Sequence, residues 1–174
     1  GGAMNIANVS ADGTGSFIAG GDINDTGTIT VAGATTFKTL NNAGAAITLN
    51  NTASRFGALT LQSRNAADTA DASGDITVFE NAAMDLASVR TTGSARLEAA
   101  GAITDSGTLT IGGAATFRTL SNDGADITLD DPSSTFGPLT VESRNAANTA
   151  DMGGSIVVFE NGPMNLASVR TTGS

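Results

Sequence analysis

The sequence predicts an all-β protein, a parallel β-helix (solenoid) of about six coils, with three coils in each 80-residue repeat. Three observations lead there. First, residues recur at a fixed interval of 80 with no insertion or deletion. Asp25-Thr-Gly-Thr28 returns as Asp105-Ser-Gly-Thr108, and Ser63-Arg-Asn-Ala-Ala67 as Ser143-Arg-Asn-Ala-Ala147. Leu86-Ala-Ser-Val-Arg90 returns as Leu166-Ala-Ser-Val-Arg170, and Phe37, Phe56 and Phe79 as Phe117, Phe136 and Phe159. Second, short β-like runs follow Gly- or Ala-containing turns at similar intervals, each opened by an isoleucine. Third, no i, i+3, i+4 apolar stripe runs long enough for a helix.

The chain divides into a partial repeat over 1–14, one copy over 15–94 and a second over 95–174, all within one β-helical unit. In each coil an isoleucine starts the first run: Ile23, Ile47, Ile76, Ile103, Ile127 and Ile156. A second run alternates with period two, as in Thr28-Ile-Thr-Val31, Leu59-Thr-Leu61 and Leu86-Ala-Ser-Val89. A third follows in several coils, as in Thr35-Thr-Phe-Lys-Thr-Leu40 and Ala95-Arg-Leu-Glu-Ala99. Asn, Asp and Gly separate them, in Asn41-Asn-Ala-Gly44, Asn50-Asn51 and Ser121-Asn-Asp-Gly124. Stacked coils lie about 4.8 Å apart, so the six isoleucines are expected to form one internal ladder. One coil buries too little to offset the entropy of ordering it, and stability requires neighbours. The β-propeller is the competing repeat fold, but its blades need four strands over about 40–50 residues with aromatic signatures. Residues 21–60 and 61–100 do not resemble each other.

Composition narrows the function. The chain has no His, Cys, Trp or Tyr. A Ser-His-Asp triad, a thiolate nucleophile, an ordinary zinc site and a disulfide framework are all excluded. Without Trp or Tyr, the usual flat platforms for sugar rings or bases are missing. A net charge of −9 opposes nucleic acid and anionic lipid. No apolar run approaches membrane-spanning length, so no membrane insertion is expected. The opening Gly-Gly and the close at Ser174 in mid-repeat read as a fragment of a longer repetitive protein.

Gly101-Ala-Ile-Thr-Asp-Ser-Gly-Thr-Leu-Thr-Ile-Gly-Gly-Ala-Ala-Thr-Phe117 and Asp123-Gly-Ala-Asp-Ile-Thr-Leu-Asp130 resemble the repeats of large bacterial surface exoproteins, the filamentous-haemagglutinin-like adhesins of two-partner secretion. The resemblance covers the whole chain as pattern. It implies a right-handed β-helical stalk on the surface of a Gram-negative cell, with no catalytic residues to carry over. The absence of Cys agrees, since such proteins cross the outer membrane unfolded.

Several positions are candidates for chemistry. The stretch Ser63–Asp71 and its copy Ser143–Asp151 is long, polar and closely copied, which marks a structured loop. Arg64, Asn65 and Asp71, with Arg144, Asn145 and Asp151, are its candidate ligand-binding residues; each Arg instead pins the loop if it bonds local carbonyls or carboxylates. Arg90/Arg170 and Lys38/Arg118 are further copied basic positions. The acids kept in both copies, Asp25/Asp105, Asp71/Asp151 and Glu80/Glu160, are candidates for glycoside hydrolysis, and turn bonding and solubility compete with that role. Asp123, Asp126, Asp130 and Asp131 are oxygen ligands suited to calcium, but the first copy has Ala43, Ala46, Asn50 and Asn51 there. No cofactor is otherwise implied.

These readings combine into a right-handed, non-catalytic stalk segment of an extracellular adhesin or filament protein. Its partners are the rest of the repeat array, end-to-end copies of itself, and host or matrix glycans or proteins. A repeated ligand-binding module and a polysaccharide-active β-helix enzyme are the alternatives.

Overall fold

The computed structural model describes residues 1–174, as twenty short strands with no helix. Every strand-to-strand ladder is parallel and joins segments roughly one coil apart. The chain winds through three faces. Face one stacks eight strands: Met4–Ile6, Ile23–Asp25, Ile47–Leu49, Ile76–Glu80, Ala95–Ala99, Ala115–Leu120, Leu139–Arg144 and Leu166–Arg170. Eight layers make seven turns, close to the expected count. Face two runs through Val9–Ala11, Ile29–Val31 and Arg55–Phe56. It resumes in the first half of Met84–Thr91 and continues through Ile103–Asp105, Ile127–Leu129 and Ile156–Val158. Face three holds Gly15–Ala19, Thr35–Leu40 and Leu59–Arg64, then the second half of Met84–Thr91, Leu109–Ile111 and Thr135–Phe136.

The coils are unequal. In face one the register runs Met4, Ile23, Ile47, Ile76, Ala95, Ala115, Leu139, Leu166. The steps from Ile76 to Ala95 and from Ala95 to Ala115 are short, whereas those from Ile47 to Ile76 and from Leu139 to Leu166 are long. The single isoleucine ladder is therefore corrected. Ile23, Ile47 and Ile76 do stack in face one, but Ala95 covers Ile76. Ile103 pairs with Met84 in face two and begins a second ladder through Ile127 and Ile156. The cause lies in Met84–Thr91, which turns the corner between two faces as one strand, with a register shift between Leu86 and Ser88. It needs no separate turn, and the coil closes early, at Ala95 rather than at Ile103.

The 80-residue unit consequently spans three and a third turns rather than three. Gly15–Ala19 lies in face three, whereas its copy Ala95–Ala99 lies in face one. Ile23–Asp25 lies in face one and its copy Ile103–Asp105 in face two. Arg55–Phe56 lies in face two and its copy Thr135–Phe136 in face three. The second copy is the first advanced along the axis and turned by one face.

Inward positions of all three faces form one core of 29 buried residues. Strand alternation supplies it: Thr35–Leu40 and Ala115–Leu120 bury every second side chain. Phe17 stacks on Phe37 with centroids 4.9 Å apart, and Phe56 meets Phe37 edge-on at 5.6 Å. Phe117 and Phe136 repeat the edge contact at 5.6 Å. Such ring pairs add about 0.5–1.5 kcal/mol beyond their burial.

Candidate functional site

The copied loop leaves the solenoid after Leu59–Arg64 and returns at Gly74. A short antiparallel bridge between Arg64 and Asp71 forms its neck, and Ala72 N donates to the Ser63 carbonyl at 2.9 Å. Beyond the neck the chain reverses at Asp68, whose φ of 55° lies in the left-handed region that Asp and Asn tolerate. The Asn65 side chain takes the place of a backbone turn: its Oδ1 accepts from Thr69 N at 2.8 Å and Ala70 N at 3.3 Å. Ser63 Oγ accepts from Gly74 N at 3.1 Å. A Cβ on Gly74 would sit 1.9 Å from the Ala45 carbonyl oxygen, so the return leg passes where only glycine fits.

Arg64 is buried at the centre of this loop, 7% exposed. Its Nε donates to Asp68 Oδ1 at 2.9 Å, its Nη2 to the Asp68 carbonyl at 3.0 Å, and its Nη1 to Asp71. Arg90, one coil on, adds a two-pronged bond to Asp71 at 3.1 and 3.3 Å. The second copy is built alike. Arg144 bonds Asn148 Oδ1 at 3.0 Å, the Asn148 carbonyl at 3.1 Å, and Asp151, which also receives Arg170. Asn145 Oδ1 accepts from Thr149 N at 2.7 Å. The six candidate ligand residues thus form two clusters, one per copy, on different faces. In both, the guanidinium is spent on the loop itself. Exposed for recognition are the tips, residues 66–70 and 146–150. Lys38 and then Arg64 hold the Asp68 carboxyl below the usual range, and Arg144 with Arg170 does so for Asp151.

Position 38/118 shows how two copies diverge without losing balance. Lys38 Nζ reaches Asp68 in its loop at 2.8 Å. In the second copy Asp68 is replaced by Asn148, and Arg118 turns to the neighbouring coils, pairing with Glu98 and Glu142 at 2.7 Å each. The first-copy equivalents of those glutamates are Ile18 and Gln62. The cation has exchanged one loop partner for two partners along the stack.

Of the copied acids, Asp71 and Asp151 bond arginines, while the other two pairs serve the backbone. Asp25 accepts from Asn50 N at 3.1 Å and Asn51 N at 2.9 Å, and Asp105 from Asp130 N at 2.9 Å and Asp131 N at 3.2 Å. Burial raises the Asp105 carboxyl. Glu80 points inward with no exposure, and its Oε1 accepts from Phe56 N at 2.9 Å. Its Oε2 makes no hydrogen bond, and burial pushes the carboxyl up to about 7. Glu160 Oε1 accepts from Phe136 N at 3.0 Å. Of the four aspartates weighed for calcium, Asp126 and Asp131 bond Ser155 N and Ser133 N, and no three acids gather as a metal site.

Sequence reasoning missed two features. Buried Ser54 and Ser134 accept from Ile29 N and Leu109 N at 3.0 Å, filling face two and face three where a strand partner is absent. A groove of about 530 Å³ on face one, with Phe79 and Glu98 among its lining, draws on both copies. Its residues are too far apart in sequence for any motif to show it.

The profile of a family described as repeats of unknown function (DUF5649) matches residues 1–63 and 73–142. Both stretches end at the strand that leads into a copied loop. No curated protein and no solved structure matched the chain. The chain belongs to this repeat family.

Proposed function

We propose that the chain is a segment of a rigid, non-catalytic stalk in a large extracellular bacterial adhesin or filament protein. One observation carries the reading: face one runs unbroken through eight parallel strands over a single core. Seven steps of about 4.8 Å give about 34 Å of shaft, and each further copy adds about 16 Å without a hinge. The filamentous-haemagglutinin-like phrasing, the absence of Cys and the net charge of −9 support the extracellular setting. The copied acids weigh against an enzyme, because they bond backbone amides or, at Asp71 and Asp151, arginines, rather than face one another across a cleft. At the last coil, Leu166 and Val169, in register with inward Leu139 and Val141, stand about half exposed, the surface against which a neighbouring coil or copy would stack.

Small-angle scattering on arrays of one, two and four copies tests the spacer role. Maximum dimension should grow linearly by about 16 Å per copy; a plateau or collapse would defeat the reading. A second reading, a repeated binding module for glycans or matrix proteins, is favoured by the matching build of the two loops. Binding on a glycan or glycoprotein array that is lost on changing residues 66–70 and 146–150 would establish it.

A further inference from the structure

The groove on face one arises from coil length. The coils from Ile76 to Ala95 and from Ala95 to Ala115 are short, while their neighbours, from Ile47 to Ile76 and from Ala115 to Leu139, are longer. At the corner after face one, the short turns 81–83 and 100–102 lie between the longer turn 50–54 and the longer connections after Leu120 and Arg144. A waist results, with walls about 14 Å apart, three coil spacings. It lies where the copies meet: Asn50, Thr52 and Phe79 come from the first, Arg96, Glu98 and Leu120 from the second. The one-face rotation between copies brings these residues together.

Its lining mixes apolar side chains with amides and hydroxyls that have no partner within the protein. Several other turn asparagines are satisfied: Asn41 donates to the Gly20 carbonyl at 3.0 Å, Asn42 accepts from Ala66 N at 3.0 Å, and Asn51 from Ala53 N at 3.0 Å. The side chains of Asn50, Asn81, Thr52 and Thr77 all line the groove and bond nothing within the protein. Phe79 points outward beside Glu98 of the next coil. Glu98 accepts from Arg96 at 2.8 Å and Arg118 at 2.7 Å, so charge in the groove is balanced.

The chemistry selects a ligand class. Ile76–Glu80 and Ala95–Ala99 are paired on both sides, which leaves no edge for a peptide strand. The apolar residues Val78, Phe79, Ala100, Leu120 and Ala146 are interspersed with amides, hydroxyls and the Arg96–Glu98 pair, which is not the continuous apolar trench an amphipathic helix needs. Balanced local charge on a chain of net −9 gives a polyanion no foothold. A hydroxyl-rich, uncharged chain fits, with one ring against Phe79 and its hydroxyls on the free amides and the Arg96–Glu98 pair. We propose that this junction groove binds a short neutral oligosaccharide. The site is distinct from the Arg64 loop, borders the Arg144 loop at Ala146, and does not depend on the spacer reading.

Saturation-transfer NMR and calorimetry on the intact chain, with maltotriose, cellotriose, mannotriose and chitotriose, test it; oligogalacturonate serves as the acidic control. At least one neutral trisaccharide should bind at millimolar concentration. Phe79→Ala should weaken that binding about tenfold or more, and so should Arg96→Ala, an exposed position where truncation leaves the core intact. Phe159→Ala, which alters the copy of Phe79 in the last coil, should leave it unchanged. No binding by any of the four, binding indifferent to both groove variants, or tighter binding of oligogalacturonate would overturn the proposal. Each of those results leaves linear growth of the array, and so the spacer reading, to be decided separately.

Discussion

Gly15 and Ala95 hold the same place in the repeat yet lie on different faces: Gly15 pairs with Thr35, whereas Ala95 lies between Ile76 and Ala115. A period of three whole turns would stack every copied loop along one side. The extra third of a turn sends the Arg64 loop out from face three and the Arg144 loop from face one. It also spreads the copied surface round the shaft, so no single side accumulates all the repeated features.

Replacing Ile103 with Ala should cost about 2–5 kcal/mol in chemical denaturation, the usual range for a fully buried isoleucine. Ile23→Ala should cost less, because a single coil lies between it and the first residues of the chain. Both side chains are buried, so equal losses would mean that position along the stack is irrelevant and coils are not mutually supporting.

Arg144→Ala should speed amide exchange over 145–154 and leave protection in Ile103–Asp105 and Ala115–Leu120 unchanged. The guanidinium bonds three groups of its own loop, and the strand beneath keeps its ladder on both sides. Undisturbed exchange in the loop would show that the Asn145 turn and the Ser143–Gly154 bond suffice without the Arg.

Glu80 makes stability depend on pH in a defined direction. Its folded pKa, about 7, lies above the ordinary value of 4.5, so the folded state keeps a proton that the unfolded chain has lost between those values. The contribution is full below pH 4.5, declines through the interval to 7 and is flat above it. The loss is on the order of 3 kcal/mol. Urea midpoints of the wild type should fall over that window relative to Glu80→Gln, which keeps the acceptor for Phe56 N. Parallel curves would place the pH dependence elsewhere. Asp68 and Asp151 act oppositely, their lowered carboxyls losing stabilisation only as pH drops through the acid range.

Much of this fold is legible in the sequence, because strand alternation and turn chemistry are local. The runs opened by Ile23, Ile47 and Ile76 stack as read, and Arg64 pins its loop through nearby Asp68 and Asp71. Ile103 misled because coil closure is not local. Nothing in Met84–Thr91 announces that one strand will cover two faces, and Ala95, too small to mark a ladder, is what seals Ile76. The groove was invisible for a similar reason: Asn50 and Ala146 meet only once the intervening coils have been stacked. Lys38 and Arg118 look like one copied charge, yet their partners depend on whether position 68 or 148 carries a carboxylate.

Spin labels at Ala67→Cys and Ala147→Cys, on the exposed tips of the two copied loops, test the rotation most directly. Three and a third coil spacings separate the loops by about 16 Å along the axis. On different faces the labels must also be separated across the shaft, so the dipolar distance should lie well beyond that rise. A distance no greater than the axial rise, with strong broadening from close approach, would place both loops on one side and contradict the rotated copies.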